Sequence, residues 1–201
     1  KTTPTRKRAI DISYIQKILL LDLNKEHELF HTRNYFLISF MLFGMTFMDM
    51  AFLKLDDIKN GRVIYQRKKT SKNYNIKIPD KLNEILDFYL EGKNQHEFIF
   101  PIILRDKPEH QYQNVIRKRK IYNDKLKTIA IICGIEQSLT SYVSRHSFAT
   151  NAMLQNIPTQ AISTMLGHSK INTTQIYLKS LPTKILDDYN LKISCSLYPN
   201  S

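Results

Sequence analysis

Three short stretches near the end of the chain carry side chains that can do chemistry together. They are Arg145-His146, then Leu166-Gly167-His168, then Thr173-Thr174-Gln175-Ile176-Tyr177. Tyr177 follows His168 by nine residues. An arginine forks onto two phosphate oxygens, a histidine donates to a third, and a phenol attacks phosphorus. That order and spacing is what DNA strand transfer through a tyrosine nucleophile needs. Attack on a phosphodiester builds negative charge on the nonbridging oxygens, and a site without metal must answer it with fixed cations and donors. A phosphotyrosyl bond conserves the energy of the broken phosphodiester for religation. The leaving sugar hydroxyl needs a proton. Lys69, in a turn between two β-rich stretches, is placed to deliver it.

Each of these residues has an ordinary structural reading by itself. Tyr177 alone is a half-buried tyrosine, His168 after a glycine is a helix C-cap residue, and Arg145 and Lys69 are surface cations. Their joint order, their spacing and the basic composition set the strand-transfer reading above those. A second motif competes. His27-Glu28-Leu29-Phe30-His31 is literally His-Glu-x-x-His, the helical pattern that binds zinc through two imidazoles while the glutamate activates water. It lies at the polar front of its helix and no third-ligand signature follows, so a zinc hydrolase is the remote alternative.

These residues must be held by a mostly α domain with one small antiparallel sheet. Asp11 or Ser13 caps a first helix to about Leu21, and a second runs from about Lys25 to Phe43, where Gly44 stops it. Thr46 to Leu53 reads as a short third. The period then changes. Arg62 to Gln66 and Tyr74 to Ile78 flank a Lys69-Thr70-Ser71-Lys72-Asn73 turn, which is a hairpin signal. Helices follow over about Asp80–Leu90, Gln111–Cys133, Ser141–Gln155 and Pro158–Leu166, with a short one near Asn172. Residues 1–8 read as a linker from an absent N-terminal domain, 9–180 as the catalytic domain, and 181–201 as an amphipathic tail helix.

The chain carries 30 Lys+Arg against 18 Asp+Glu, a formal charge of +12. That balance suits a polyanionic partner. Two basic clusters stand out: Arg67, Lys68 and Lys72 on the hairpin, and Arg117, Arg119 and Lys120 on the long helix. They read as DNA phosphate contacts that fix register with little base readout. The two cysteines, Cys133 and Cys195, are far apart, which excludes a disulfide scaffold. The nearly apolar run Tyr35 to Met48 is too short to span a bilayer and reads as a buried helix. A cytosolic protein is expected.

With those boxes in view, the chain resembles the catalytic domain of the tyrosine recombinases, the phage-integrase family. It is closest in flavour to the integrases of conjugative transposons. Tyr142 to His146 resembles the second arginine box, Leu166-Gly167-His168 the Leu-Gly-His box, Thr173 to Tyr177 the Thr-Thr-x-x-Tyr box, and Lys69-Thr70 the hairpin lysine pair. The resemblance implies a C-clamp around DNA with a separate core-binding domain. It also implies a 3′-phosphotyrosyl intermediate, a tetramer on a double-stranded recombination site formed from free monomers, possible accessory DNA-bending proteins, and no cofactor or metal. Integration, excision and inversion all fit.

Two positions depart from the family. Its first arginine, in Gly-x-Arg-x-x-Glu, meets Gly44-Met45-Thr46-Phe47-Met48-Asp49, so Thr46 stands in its place. Its histidine three before the second arginine is Tyr142, whose phenol can still donate. A lost bidentate donor costs about 3–4 kcal/mol by analogy with an oxyanion donor. Arg33, Arg67 or Lys68 is available to substitute. The alternative is a DNA-binding domain of this fold that has lost catalysis.

Overall fold

The computed structural model describes residues 9–104 and 107–178, with single positions at 187, 190, 191 and 193–195. The linker expected over 1–8 and most of the tail expected over 181–201 lie outside the described residues. The described chain divides into a larger unit up to Phe148 and a smaller one from Ala149.

In the larger unit, α1 (Ile12–Leu19) starts where the Asp11 carboxylate accepts the Ser13 N–H at 2.9 Å. The second helix begins later than its periodicity suggests, as α2 (Phe30–Met41). Asn24 takes the N–H groups of Glu26 and His27, and the His27 ring takes that of Leu29, so these groups hold a turn. α2 is buried on every side from Asn34 to Ser39, as its apolar run predicts. α3 (Phe47–Ala51) is capped by Thr46. A 3₁₀ turn over Leu55–Asp57 leads into the sheet.

The sheet has three antiparallel strands in chain order, β1 (Ile58–Lys59), β2 (Arg62–Gln66) and β3 (Asn73–Lys77), with Val63 opposite Ile76 and Tyr65 opposite Tyr74. The hairpin was legible in the sequence. β1 was not, because two residues are too few for a period-2 pattern. α4 (Asp80–Leu90) and α5 (Pro108–Ile132) complete the frame, and α5 starts at a proline, which supplies no N–H to be left unsatisfied. Phe36, Ile38, Leu42, Met50, Leu82, Leu86, Phe100 and Leu126 are fully buried together. Each such side chain contributes about 1.5–3 kcal/mol. No helix among the described residues is long and apolar enough to cross a membrane.

α6 (Val143–Leu154) starts in the larger unit and its later residues belong to the smaller one. The smaller unit also holds α7 (Thr159–Leu166) and α8 (Asn172–Leu178), which pack on each other.

Candidate active site

Arg145 is the third residue of α6 and only 3% exposed. Its guanidinium donates to the Gly44 carbonyl at 3.0 Å. Gly44 has a φ of +67°, and a Cβ there would lie 2.7 Å from Arg145 Cγ and 2.8 Å from its Cα. Only glycine fits, for both its conformation and its closeness. Below this contact, the Ser39 hydroxyl donates to the Met45 carbonyl at 2.7 Å and meets the Ser144 hydroxyl at 2.6 Å. Buried serines thus fasten the turn after α2 to the residue beside Arg145. Tyr142 is half exposed, with its ring 5.1 Å from that of His146.

Thr46 is the N-cap of α3. Its Oγ1 accepts the Asp49 N–H at 3.1 Å and donates to Asp49 Oδ2 at 2.7 Å. Asp49 is buried, and its Oδ1 accepts the Lys68 N–H at 2.9 Å. Its Oδ2 lies 3.7 Å from Arg67 Nε. Arg67 follows the last residue of β2 and is buried at 7% exposure. It walls an open cleft of roughly 340 Å³ together with Phe52, Tyr65 and Ser71. Burial pushes the Tyr65 phenol up from its ordinary value, Asp49 and Tyr74 push it further, and Arg67 and Arg145 pull it back. Tyr74, stacked on Tyr65 at 5.0 Å, is raised by burial and lowered by the same two guanidiniums.

Lys69 sits exposed in the hairpin turn. Lys68 lies exposed with its ammonium 4.7 Å from the Phe52 ring centre, and Lys72 is half-buried, 6.0 Å from that of Tyr74. Arg117, Arg119 and Lys120 are exposed on α5. Arg33 is committed elsewhere, donating to the Leu21 carbonyl at 2.6 Å and to Asn34 at 3.0 Å.

In the smaller unit the Leu-Gly-His box ends α7. Gly167 is left-handed at φ +65°, its N–H reaches Thr164 O, and the His168 N–H reaches Ser163 O at 3.0 Å. This is a Schellman ending, with Leu166 fully buried beneath it. His168 Nδ1 meets the hydroxyl of buried Thr174 at 2.8 Å. A neutral imidazole that accepts through Nδ1 carries its proton on Nε2, the form that donates from the far edge of the ring. Thr174 lies three residues before Tyr177 on α8. Thr174 and Asp49 are supports that the reading of the sequence did not assign. The repeated threonine at 173–174 and the carboxylate three residues after Thr46 were their signals.

The zinc pattern does not form its helix. His27 and Glu28 lie in the turn before α2, and His31 Nδ1 meets the Tyr89 hydroxyl at 2.9 Å. Among the described residues no three His, Cys, Asp or Glu side chains gather.

A mostly helical frame, a small antiparallel sheet and these boxes define the fold of a tyrosine recombinase catalytic domain. The chain belongs to the phage integrase family, whose match covers residues 13–184. It is 24% identical over 183 residues to a tyrosine recombinase of Pseudothermotoga lettingae, covering 89% of this chain and 58% of that one. It is 30% identical over 140 residues to the tyrosine recombinase XerA of Thermococcus kodakarensis, covering 68% of this chain and 46% of that one. The chain thus spans about half the length of these relatives. Among solved structures, XerH recombinase bound to its difH substrate superposes with a TM-score of 0.65 at 16% identity, over 94% of this chain and 56% of that one. The catalytic domain of bacteriophage HP1 integrase does so at 0.58 and 17% identity, over 90% of this chain and 93% of that one.

Proposed function

We propose that this domain cuts and rejoins double-stranded DNA at a specific site through a 3′-phosphotyrosyl intermediate, in the service of mobile-element integration or excision or of DNA inversion. Tyr177 attacks the phosphorus and releases its phenolic proton to solvent. The bond to the 5′ oxygen breaks, and the Lys69 ammonium protonates that leaving oxygen to give a free 5′ hydroxyl. Arg145 and His168 hold the nonbridging oxygens, and Tyr142 donates from the position three residues before the arginine. A 5′ hydroxyl from another strand reverses the step. The observation that carries this reading is the His168–Thr174 bond, which orients the histidine from the same short helix that bears Tyr177.

Exposed Arg117, Arg119 and Lys120, with Lys68 and Lys72 on the hairpin, supply phosphate contacts. Residues 9–180 form the catalytic domain, and residues 1–8 link it to a core-binding domain. Four copies assemble on DNA from free monomers, with 181–201 docking on a neighbour and accessory DNA-bending proteins assisting. The work is done on DNA in the cytoplasm. The XerH complexes with difH and the Tn1549 integrase complexes with transposon DNA support a DNA substrate for this fold.

The test is a nicked suicide duplex carrying a site that the protein itself selects from random-sequence DNA. A covalent protein–DNA adduct on a denaturing gel, lost in Tyr177→Phe with DNA binding intact, is expected. An adduct at full yield in that variant overturns the assignment of the nucleophile. Binding without any adduct in the unaltered protein points to a DNA-binding domain that has lost catalysis.

A further inference from the structure

Thr46 stands where the family pattern has its first arginine, and its hydroxyl is occupied in capping α3. We propose that Arg67 supplies the missing guanidinium, binding the scissile phosphate together with Arg145 while Asp49 holds it in place. This rests on the strand-transfer reading and adds a catalytic residue to that site.

Asp49 joins the two residues concerned: one of its oxygens takes the Thr46 hydroxyl at 2.7 Å and faces Arg67 Nε at 3.7 Å. A cation that in relatives would project from the helix start is here delivered from the adjoining hairpin. The backbone at Arg67 is also fixed. The Arg67 N–H donates to Lys72 O at 2.9 Å, its carbonyl receives the Ser71 N–H at 2.9 Å, and the next N–H is held by Asp49. Arg67 therefore stands on a fixed stem, while Lys69 rides the turn above it. Preorganised charge of this kind stabilises a transition state without reorganising during the reaction.

Arg67 and Arg145 both act on the Tyr65 and Tyr74 phenols, so their fields meet at one stacked pair. Both guanidiniums are also held nearly out of water, at 7% and 3% exposure. A buried guanidinium needs a partner, and Asp49 Oδ2, 3.7 Å from Nε, supplies one to Arg67. The rivals are placed otherwise: Arg33 is anchored to Leu21 O, and Lys68 lies exposed over Phe52.

The experiment compares the full protein with Arg67→Ala and Arg67→Lys on the selected suicide duplex, with thermal melting and DNA affinity measured alongside. Single-turnover adduct formation should fall about 100- to 1,000-fold in both variants while affinity changes by only about threefold. Lysine keeps a charge for Asp49 but not the fork. A second substrate carries a neutral methylphosphonate at the scissile position. With less charge to neutralise, the Arg67→Ala deficit should shrink to about tenfold or less. Equal deficits on both substrates would mean that Arg67 only supports the fold, and would overturn the proposal. So would an Arg67→Lys rate within about threefold of the unaltered protein. Should Arg67→Ala fail to fold, Arg67→Lys carries the comparison. If the unaltered protein forms no adduct, the strand-transfer reading falls and this proposal with it. If it forms the adduct and Arg67→Lys matches it, only the Arg67 assignment falls.

Discussion

Arg145 is seated on Gly44: its guanidinium donates to the Gly44 carbonyl at 3.0 Å, and its Cγ and Cα would lie only 2.7 and 2.8 Å from a Cβ on Gly44. Two residues distant in sequence therefore form one unit. Gly44→Ala adds strain at a positive φ, about 1–3 kcal/mol, and forces Arg145 off its seat. Denaturant unfolding should show that loss of stability, and adduct formation should fall well beyond what the lost folded fraction explains. A variant with native stability and rate would refute the coupling.

Thr174 plays the corresponding part for His168. Thr174→Val keeps the shape and removes the hydroxyl that meets Nδ1. The ring then loses the contact that orients it. Adduct formation should slow about 5- to 30-fold, the rate equivalent of a ~1–2 kcal/mol hydrogen bond. Thr174→Ser should retain most of the rate. Equal rates for the valine and serine variants would show the hydroxyl to be idle.

Much of this was legible in the chain. The boxes around Arg145, His168 and Tyr177 and the hairpin around Lys69 follow from spacing and turn chemistry. The inward turn of Arg67 was harder to see, because in a run of three basic residues charge does not say which one is buried. Strand alternation does. Val63, Tyr65 and Arg67 share the inner face, while Ile64, Gln66 and Lys68 are exposed. The late start of α2 escaped because Asn24 and His27 hold a local turn against the helical period of the residues that follow.

Lys69 is assigned the proton for the leaving hydroxyl. Lys69→Ala should slow adduct formation about 100- to 10,000-fold with DNA affinity nearly unchanged. Replacing the scissile 5′ oxygen with sulfur makes a leaving group that departs without a proton, and the variant should then approach the unaltered protein. A deficit that persists with the sulfur substrate would assign Lys69 to phosphate binding instead.

In the proposed strand transfer the positive charge comes from arginine and lysine, and histidine adds a hydrogen bond. Adduct formation should therefore persist in excess chelator, and Glu28→Gln should leave it unchanged, since Glu28 lies exposed in the turn before α2. Stoichiometric zinc together with lost activity in Glu28→Gln would favour the hydrolase reading.

Thr46→Arg restores the family pattern and tests whether the site already has its second arginine. The substitution removes the α3 cap, worth about 1 kcal/mol. It also sets a cation beside Asp49, where Arg67 already pairs at 3.7 Å. With Arg67 in the phosphate-binding role, the variant should gain no rate and should lose some through crowding and like-charge repulsion. The reciprocal double variant, Thr46→Arg with Arg67→Thr, should recover part of the activity that Arg67→Ala loses, because the guanidinium is returned to the other side of the same carboxylate. Single-turnover rates on the suicide duplex decide it. A large gain in Thr46→Arg alone would show that the unaltered site lacks its second arginine and that Arg67 does not fill the place.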